Sequence, residues 1–170
     1  MDLGTLVAFA LTSLAVELTP GPNMVWIAIV AVSDGRRAGY AAVAGVALGL
    51  AVVGVAAALG LAAVVSASPA AYQVLRWAGV VYLLWLAWDG WRGADGHEEL
   101  AALGSSLATY FRRGLVTNLL NPKAFVFYVA VLPGFLQADA TARETLTLSA
   151  VYVTVATLIG VATTLVFANP

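Results

Sequence analysis

Two ionisable side chains, Glu17 and Lys123, stand inside stretches that are otherwise apolar. Each has prolines and asparagines beside it. Glu17 leads into Thr19-Pro20-Gly21-Pro22-Asn23, and Lys123 closes Asn118-Leu119-Leu120-Asn121-Pro122-Lys123. A carboxylate in such a place can hold an ammonium or carry a proton. A lysine can hold a carboxylate or serve as countercharge. Asparagine donates and accepts without adding net charge. Proline removes a backbone N–H and crowds a carbonyl one turn back, so a helix stops there and frees backbone groups. The N–H groups of a half-helix that restarts suit an anion. Carbonyls freed near Leu18, Thr19, Leu120 and Asn121 suit a cation. This is the chemistry of binding a small charged solute or passing a proton, not of making bonds. The chain has no cysteine, and its one histidine, His97, lies in the polar stretch Gly93–Glu99. Disulfides, thiol redox chemistry, a His-based metal site and a nucleophile–base pair are therefore not expected. Neither enzyme nor cofactor is expected.

The surrounding composition names the solvent. Of the 170 residues, 62% are hydrophobic and 10% charged, and the mean hydropathy is +0.93. Soluble domains carry about 25% charged residues, so this chain lacks the polar surface of a water-soluble globule. A net charge of −1 offers nucleic acid no electrostatic footprint. In a bilayer, a charge at mid-depth costs at least about 2.5–3.5 kcal/mol on insertion scales. Glu17 and Lys123 are functional candidates on that ground. The purely structural alternative is a mutual salt bridge, or a lysine that snorkels.

Five spans position these residues, since a crossing takes about 20 apolar residues. They are Leu3–Val32 (interrupted by Glu17–Asn23), Ala38–Val65, Ala70–Trp88, Gly114–Leu136 (interrupted by Asn118, Asn121 and Lys123) and Thr145–Ala168. The connectors mix charge with Gly, Pro or Ser. The N-terminus has no basic stretch before a run too long for a signal peptide, so it reads as a retained helix. Arg36 and Arg37 mark the first connector, and Arg92, Arg112 and Arg113 the third. The positive-inside rule places both in the cytoplasm and the N-terminus outside. Trp77, Tyr82, Trp85, Trp88 and Trp91 cluster on the third span as lipid anchors and packing. Arg76 reads as a snorkelling side chain. Gly45 and Gly49, followed by Gly54 and Gly60, read as close helix contact.

The two breaks also organise the chain. Thr19-Pro20 matches Asn121-Pro122, with half-helices expected from Met24 and from Ala124. Three spans separate the motifs, so the second copy is upside down relative to the first, the plan of many secondary transporters. The fold expected is an all-α membrane bundle of five spans. It is an inverted-repeat, 3+3 arrangement with broken first and fourth helices and the sixth helix missing. One transport domain fills 1–170, with a first half-repeat 1–91, a cytoplasmic loop 92–113 and a second half-repeat 114–170. The missing helix implies a fragment or a completing partner, and a homo-oligomer is compatible with the plan.

The residues also carry a resemblance. "LTPGPNM" resembles the signature of the lysine exporter (LysE/RhtB) family, which includes the homoserine/threonine exporters. "DGRRAGYAAVAGVALG", "LRWAGVVYLLWLAW" and "FRRGLVTNLLNPKAFVFYVAVLPGF" resemble its next three segments, from about Leu11 to about Phe135. The resemblance implies a bacterial inner-membrane protein that exports amino acids or related compounds under the proton gradient. It carries over Pro20, Gly21, Pro22, Asn23, Asn118, Asn121, Pro122 and Lys123 as motif positions. Glu17 and Thr19 join them on physical grounds, Glu17 as holder of the substrate ammonium or of the coupling proton. Two alternatives stay open: a metal-ion or other small-solute exporter of the same superfamily, and a non-transporting structural membrane subunit. Metal export would want more Cys, His or carboxylate ligands than Glu17 and the asparagines supply.

Overall fold

The computed structural model describes residues 1–67, 106–137 and 140–168, with Ala70, Gln73, Val74, Trp77 and Val81 between them. Most of the expected third span and residues 92–105 lie outside the described residues. So do Arg76, Tyr82, Trp85, Trp88, Trp91 and His97. Of the described positions in that span, Val74, Trp77 and Val81 are exposed.

The described elements are helical throughout. Helix α1 runs Leu3–Leu18, α2 Pro22–Ala67, α3 Leu107–Leu119, α4 Pro122–Val126 and α5 Ala142–Phe167. A π-helical turn, Phe127–Val131, and a 3-10 turn, Leu132–Phe135, continue α4. Two helical stretches, Pro22–Gly60 and Ala142–Phe167, are long and apolar enough to cross a membrane. The pair Leu107–Leu119 and Pro122–Phe135, bent by 49°, makes a third.

Local chemistry sets the ends. Asp2 caps α1, accepting from the Thr5 N–H at 2.8 Å. That bond holds its carboxyl below the usual carboxylate range. Ser106 caps α3 through the Thr109 N–H. Helix α3 thus starts before the expected Gly114 and takes Arg112 and Arg113 out of the loop. Thr141 and Glu144 form a reciprocal capping box, so α5 starts at Ala142 rather than Thr145. The breaks are narrower than the sequence suggests. Glu17 and Leu18 still belong to α1, and Pro22 and Pro122, not Met24 and Ala124, open the next helices. Proline at a first helical position loses only an N–H that would be unpaired anyway. The stretch after Pro122 is not one apolar half-helix but α, π and 3-10 turns in series. Pro133 has no N–H with which to continue an α ladder.

Helix α2 reverses direction inside itself. Gly35 has φ 79° and ψ −175°, a conformation that favours glycine. Straight α-helix would hold Asn23 and Gly49 about 39 Å apart. Instead Asn23 bonds Asn118, and a Cβ on Gly49 would lie 2.7 Å from the same Asn118 side chain. Ile27 and Val43 likewise both flank Gly160. Residues 22–34 and 36–67 are therefore two legs of a hairpin, and Asp34, Arg36 and Arg37 sit at its turn.

Of the second-leg glycines expected to make close helix contact, Gly45, Gly49 and Gly54 face backbone or polar side chains, whereas Gly60 meets no atom of the described residues within 4 Å of an added Cβ. Gly45 lies against Phe111 and Leu115, Gly114 against Ala42, and Gly54 against Tyr128 and Ser149. The core beside them is Phe9, Trp26, Val30, Leu50, Phe127, Tyr128, Leu148 and Tyr152.

Candidate functional site

The two broken legs run antiparallel, and their breaks meet. Phe9 packs edge-on against Phe127, with ring centroids 5.7 Å apart. The Lys123 ammonium donates to the Thr19 carbonyl at 2.7 Å. The Asn23 amide donates to the Asn118 side-chain oxygen at 2.8 Å. The Arg113 guanidinium lies 6.0 Å from the Trp26 ring centre. As one leg rises through 9, 19, 23 and 26, its neighbour falls through 127, 123, 118 and 113. Each break thus lies at the level of the other.

The charged residues come together without pairing. Glu17, Gly21, Asn23, Met24, Asn121 and Lys123 line one small cavity. Its free volume is about 10 Å³, room for about one water molecule. A second cavity of similar size runs from Glu17 and Asn23 past Ile27, Val46, Ala156 and Ile159 to Thr163. The one ion pair within 4.0 Å among the described residues joins the Met1 amine to Glu144. Glu17 and Lys123 therefore do not form the mutual bridge that a purely structural role would use. Glu17 instead accepts from the Tyr152 hydroxyl at 2.7 Å.

The other expected residues fall around this pair. Asn121 caps α4, its side chain accepting from the Lys123 N–H at 3.0 Å. Asn118 is 1% exposed and Lys123 6%. The Asn118 amide nitrogen and the Asn23 side-chain oxygen are buried without a partner. One donor and one acceptor thus remain available between the legs. Gly21 gives the lysine stem its room, since a Cβ there would lie 3.2 Å from Lys123 Cδ. Pro20 and Pro22 are exposed, so they act through the backbone they break. Among the described residues no group of three or more His, Cys, Asp or Glu could hold a metal.

Tyr152 is the residue that sequence reasoning passed over. It is fully buried and stacks on Phe127 at 3.8 Å between centroids. Tyr128 meets it edge-on at 5.6 Å and donates its own hydroxyl to the Leu50 carbonyl at 3.1 Å. A signal was present. Thr145, Ser149, Tyr152, Ala156, Gly160 and Thr163 recur every three or four residues, which puts a polar and small stripe on one face of α5.

Residues 14–169 match the family of LysE type translocators. The chain belongs to that family. A homoserine/homoserine lactone efflux protein of Salmonella typhimurium strain LT2 is 35% identical over 130 residues, 76% of this chain and 63% of that protein. A leucine efflux protein of Enterobacter sp. strain 638 is 34% identical over 128 residues, 74% of this chain and 61% of that protein. An uncharacterized membrane protein of Vibrio cholerae is 34% identical over 139 residues, 80% of this chain and 67% of that protein. The chain thus spans less than two thirds of the length of the two named efflux relatives. No solved structure matches it. Like other LysE translocators the chain is a helical membrane protein, and both helix breaks fall within the matched residues.

Proposed function

We propose that this chain is a secondary transporter that exports amino acids or closely related metabolites across the cytoplasmic membrane, driven by the proton gradient. The observation that carries the reading is the meeting of two helix breaks around a carboxylate and an ammonium that do not bridge. Such a pair is free to engage a zwitterion. Lys123 and the unpaired Asn118 amide face the substrate carboxylate. The Thr19 carbonyl and the Asn23 oxygen face its ammonium. Glu17 carries the coupling proton. The cavity holds about one water, so substrate enters only when the legs part. The names of the efflux relatives support the substrate class. The antiparallel register of the two legs supports five spans in an inverted repeat.

Purified protein in proteoliposomes should release labelled homoserine or leucine when a pH gradient is applied, and should not move divalent cations. Lys123→Met should lower this efflux steeply. Removing one partner of a buried charged contact costs about 2–5 kcal/mol, or roughly 30-fold to several thousand-fold. Cation transport without amino-acid transport would replace this reading with the metal-export one.

The proposed orientation has the N-terminus outside and residues 92–105 in the cytoplasm. The chain has no native cysteine, so an Ala94→Cys variant reports on that loop alone. An impermeant thiol reagent should label it only after the cells are opened. Labelling of intact cells would invert the topology.

A further inference from the structure

Lys123 is the only lysine in the chain. Its ammonium sits 2.7 Å from the Thr19 carbonyl, which α1 leaves free by ending at Leu18. Among the described residues no backbone N–H donates to that carbonyl. Gly21 opens the path, because a Cβ there would crowd Cδ of the lysine and touch its Nζ. An ammonium on a freed carbonyl, with the Glu17 carboxylate in the same cavity, is the environment a substrate amine needs. The protein's own side chain already fills it.

We propose that Lys123 is a tethered occupant of the substrate's ammonium subsite, and that this makes the site select zwitterions over simple amines. The inference rests on the export reading above. An arriving amino acid offers its carboxylate to Lys123, whose ammonium swings off Thr19. The substrate's ammonium takes the vacated carbonyl. With Glu17 ionised, the net charge of the site stays at zero. A simple amine brings no carboxylate. It must displace Lys123 and leave two cations facing one carboxylate in a buried site, or stay out. The charged and titratable groups around the exchange are Glu17 on α1, Lys123 on α4, Tyr128 on the π turn and Tyr152 on α5. Asn23 and Asn121 complete the wall.

The test uses detergent-purified full-length protein, with L-leucine and n-propylammonium as probes. Lys123→Ala removes three methylenes and an ammonium beyond Cβ, which is propylammonium itself. The wild type should be stabilised against heat by leucine and should bind propylammonium at least about 30-fold more weakly. Lys123→Ala should be stabilised by propylammonium and not by 1-propanol. In wild-type protein labelled with ε-13C lysine, the single lysine resonance should move on adding leucine and stay put with propylammonium. Equal affinity of the wild type for both probes would overturn the proposal. So would a folded Lys123→Ala that ignores propylammonium. Should that variant not fold, the labelled wild type decides: leucine that raises the melting temperature without moving the Lys123 resonance sinks the exchange. A wild type that responds to no amino acid sinks the export reading instead. The propylammonium response of Lys123→Ala then still reports whether the Thr19 carbonyl accepts an ammonium.

Discussion

Gly45→Val should remove most of the folded protein from the membrane, while Gly60→Val leaves it near wild type. The difference lies in what a side chain meets. A Cβ at Gly45 would sit 2.0 Å from the Phe111 carbonyl oxygen and 2.8 Å from the Leu115 nitrogen. Across the same contact, a Cβ at Gly114 would sit 2.3 Å from the Ala42 oxygen. Those atoms are backbone, so no rotamer change relieves them. The second leg of α2 and α3 must move apart. Overpacking a core costs about 1–3 kcal/mol where side chains can give, so this substitution belongs at or above the top of that range, about a hundredfold in the folding ratio. Among the described residues, a Cβ at Gly60 meets nothing within 4 Å. The measurement is the monodisperse yield after detergent extraction, followed by unfolding in increasing SDS. A Gly45→Val protein as stable as Gly60→Val would mean that the two helices do not touch backbone to backbone. The proposed site is tied to the same contact, because Gly49, one turn on, packs against Asn118. Separating the helices also separates the Asn23–Asn118 bond from the break it spans.

What the sequence disclosed and what it hid follow one physical division. Proline and glycine act within a turn of where they stand. Pro20, Pro22 and Pro122 therefore announced both breaks, though not that Pro22 would open its helix while Pro20 stays in the gap. Charge in an apolar run is equally local, so Glu17 and Lys123 stood out. Gly35 was legible as part of a connector, yet its helical neighbours hid how short the turn is. Partners were another matter. Tyr152 lies far from Glu17 along the chain and looks like one more aromatic in an apolar helix. Only packing on Phe127 aims its hydroxyl at the carboxylate. The direct Glu17–Lys123 bridge was a natural alternative from charge alone. The structure gives each a neutral partner instead, a hydroxyl for the carboxylate and a carbonyl for the ammonium. The π turn at Phe127–Val131 had no sequence signal; its Phe127 packs against Phe9 of α1 and Tyr152 of α5, neighbours far away along the chain.

Glu17→Gln should abolish pH-driven efflux while leaving exchange of labelled for unlabelled substrate intact. Glu17 lies 14 residues beyond the start of α1, about 21 Å along it at 1.5 Å per residue. The hydrocarbon core is about 30 Å thick, so in the proposed five-span arrangement, with α1 starting at one face, this carboxylate falls inside it. Lipid offers it no partner, and the ion pair that might have explained it is absent. Its oxygen accepts from Tyr152 at 2.7 Å, a bond that glutamine's carbonyl oxygen can also accept. The substitution therefore preserves shape and that hydrogen bond and removes the titration together with the negative charge it controls. A coupling role predicts a folded protein that binds and exchanges substrate but ignores an imposed pH gradient. A structural role predicts the opposite pattern. Glu17→Gln would then express poorly, and adding Lys123→Met would partly restore it by removing the charge left without its counterpart. Efflux under a gradient and counterflow without one, measured on the same vesicles, separate the two. A folded Glu17→Gln with normal proton-driven export would defeat both, and would leave the paired breaks and their asparagines as the whole of the site.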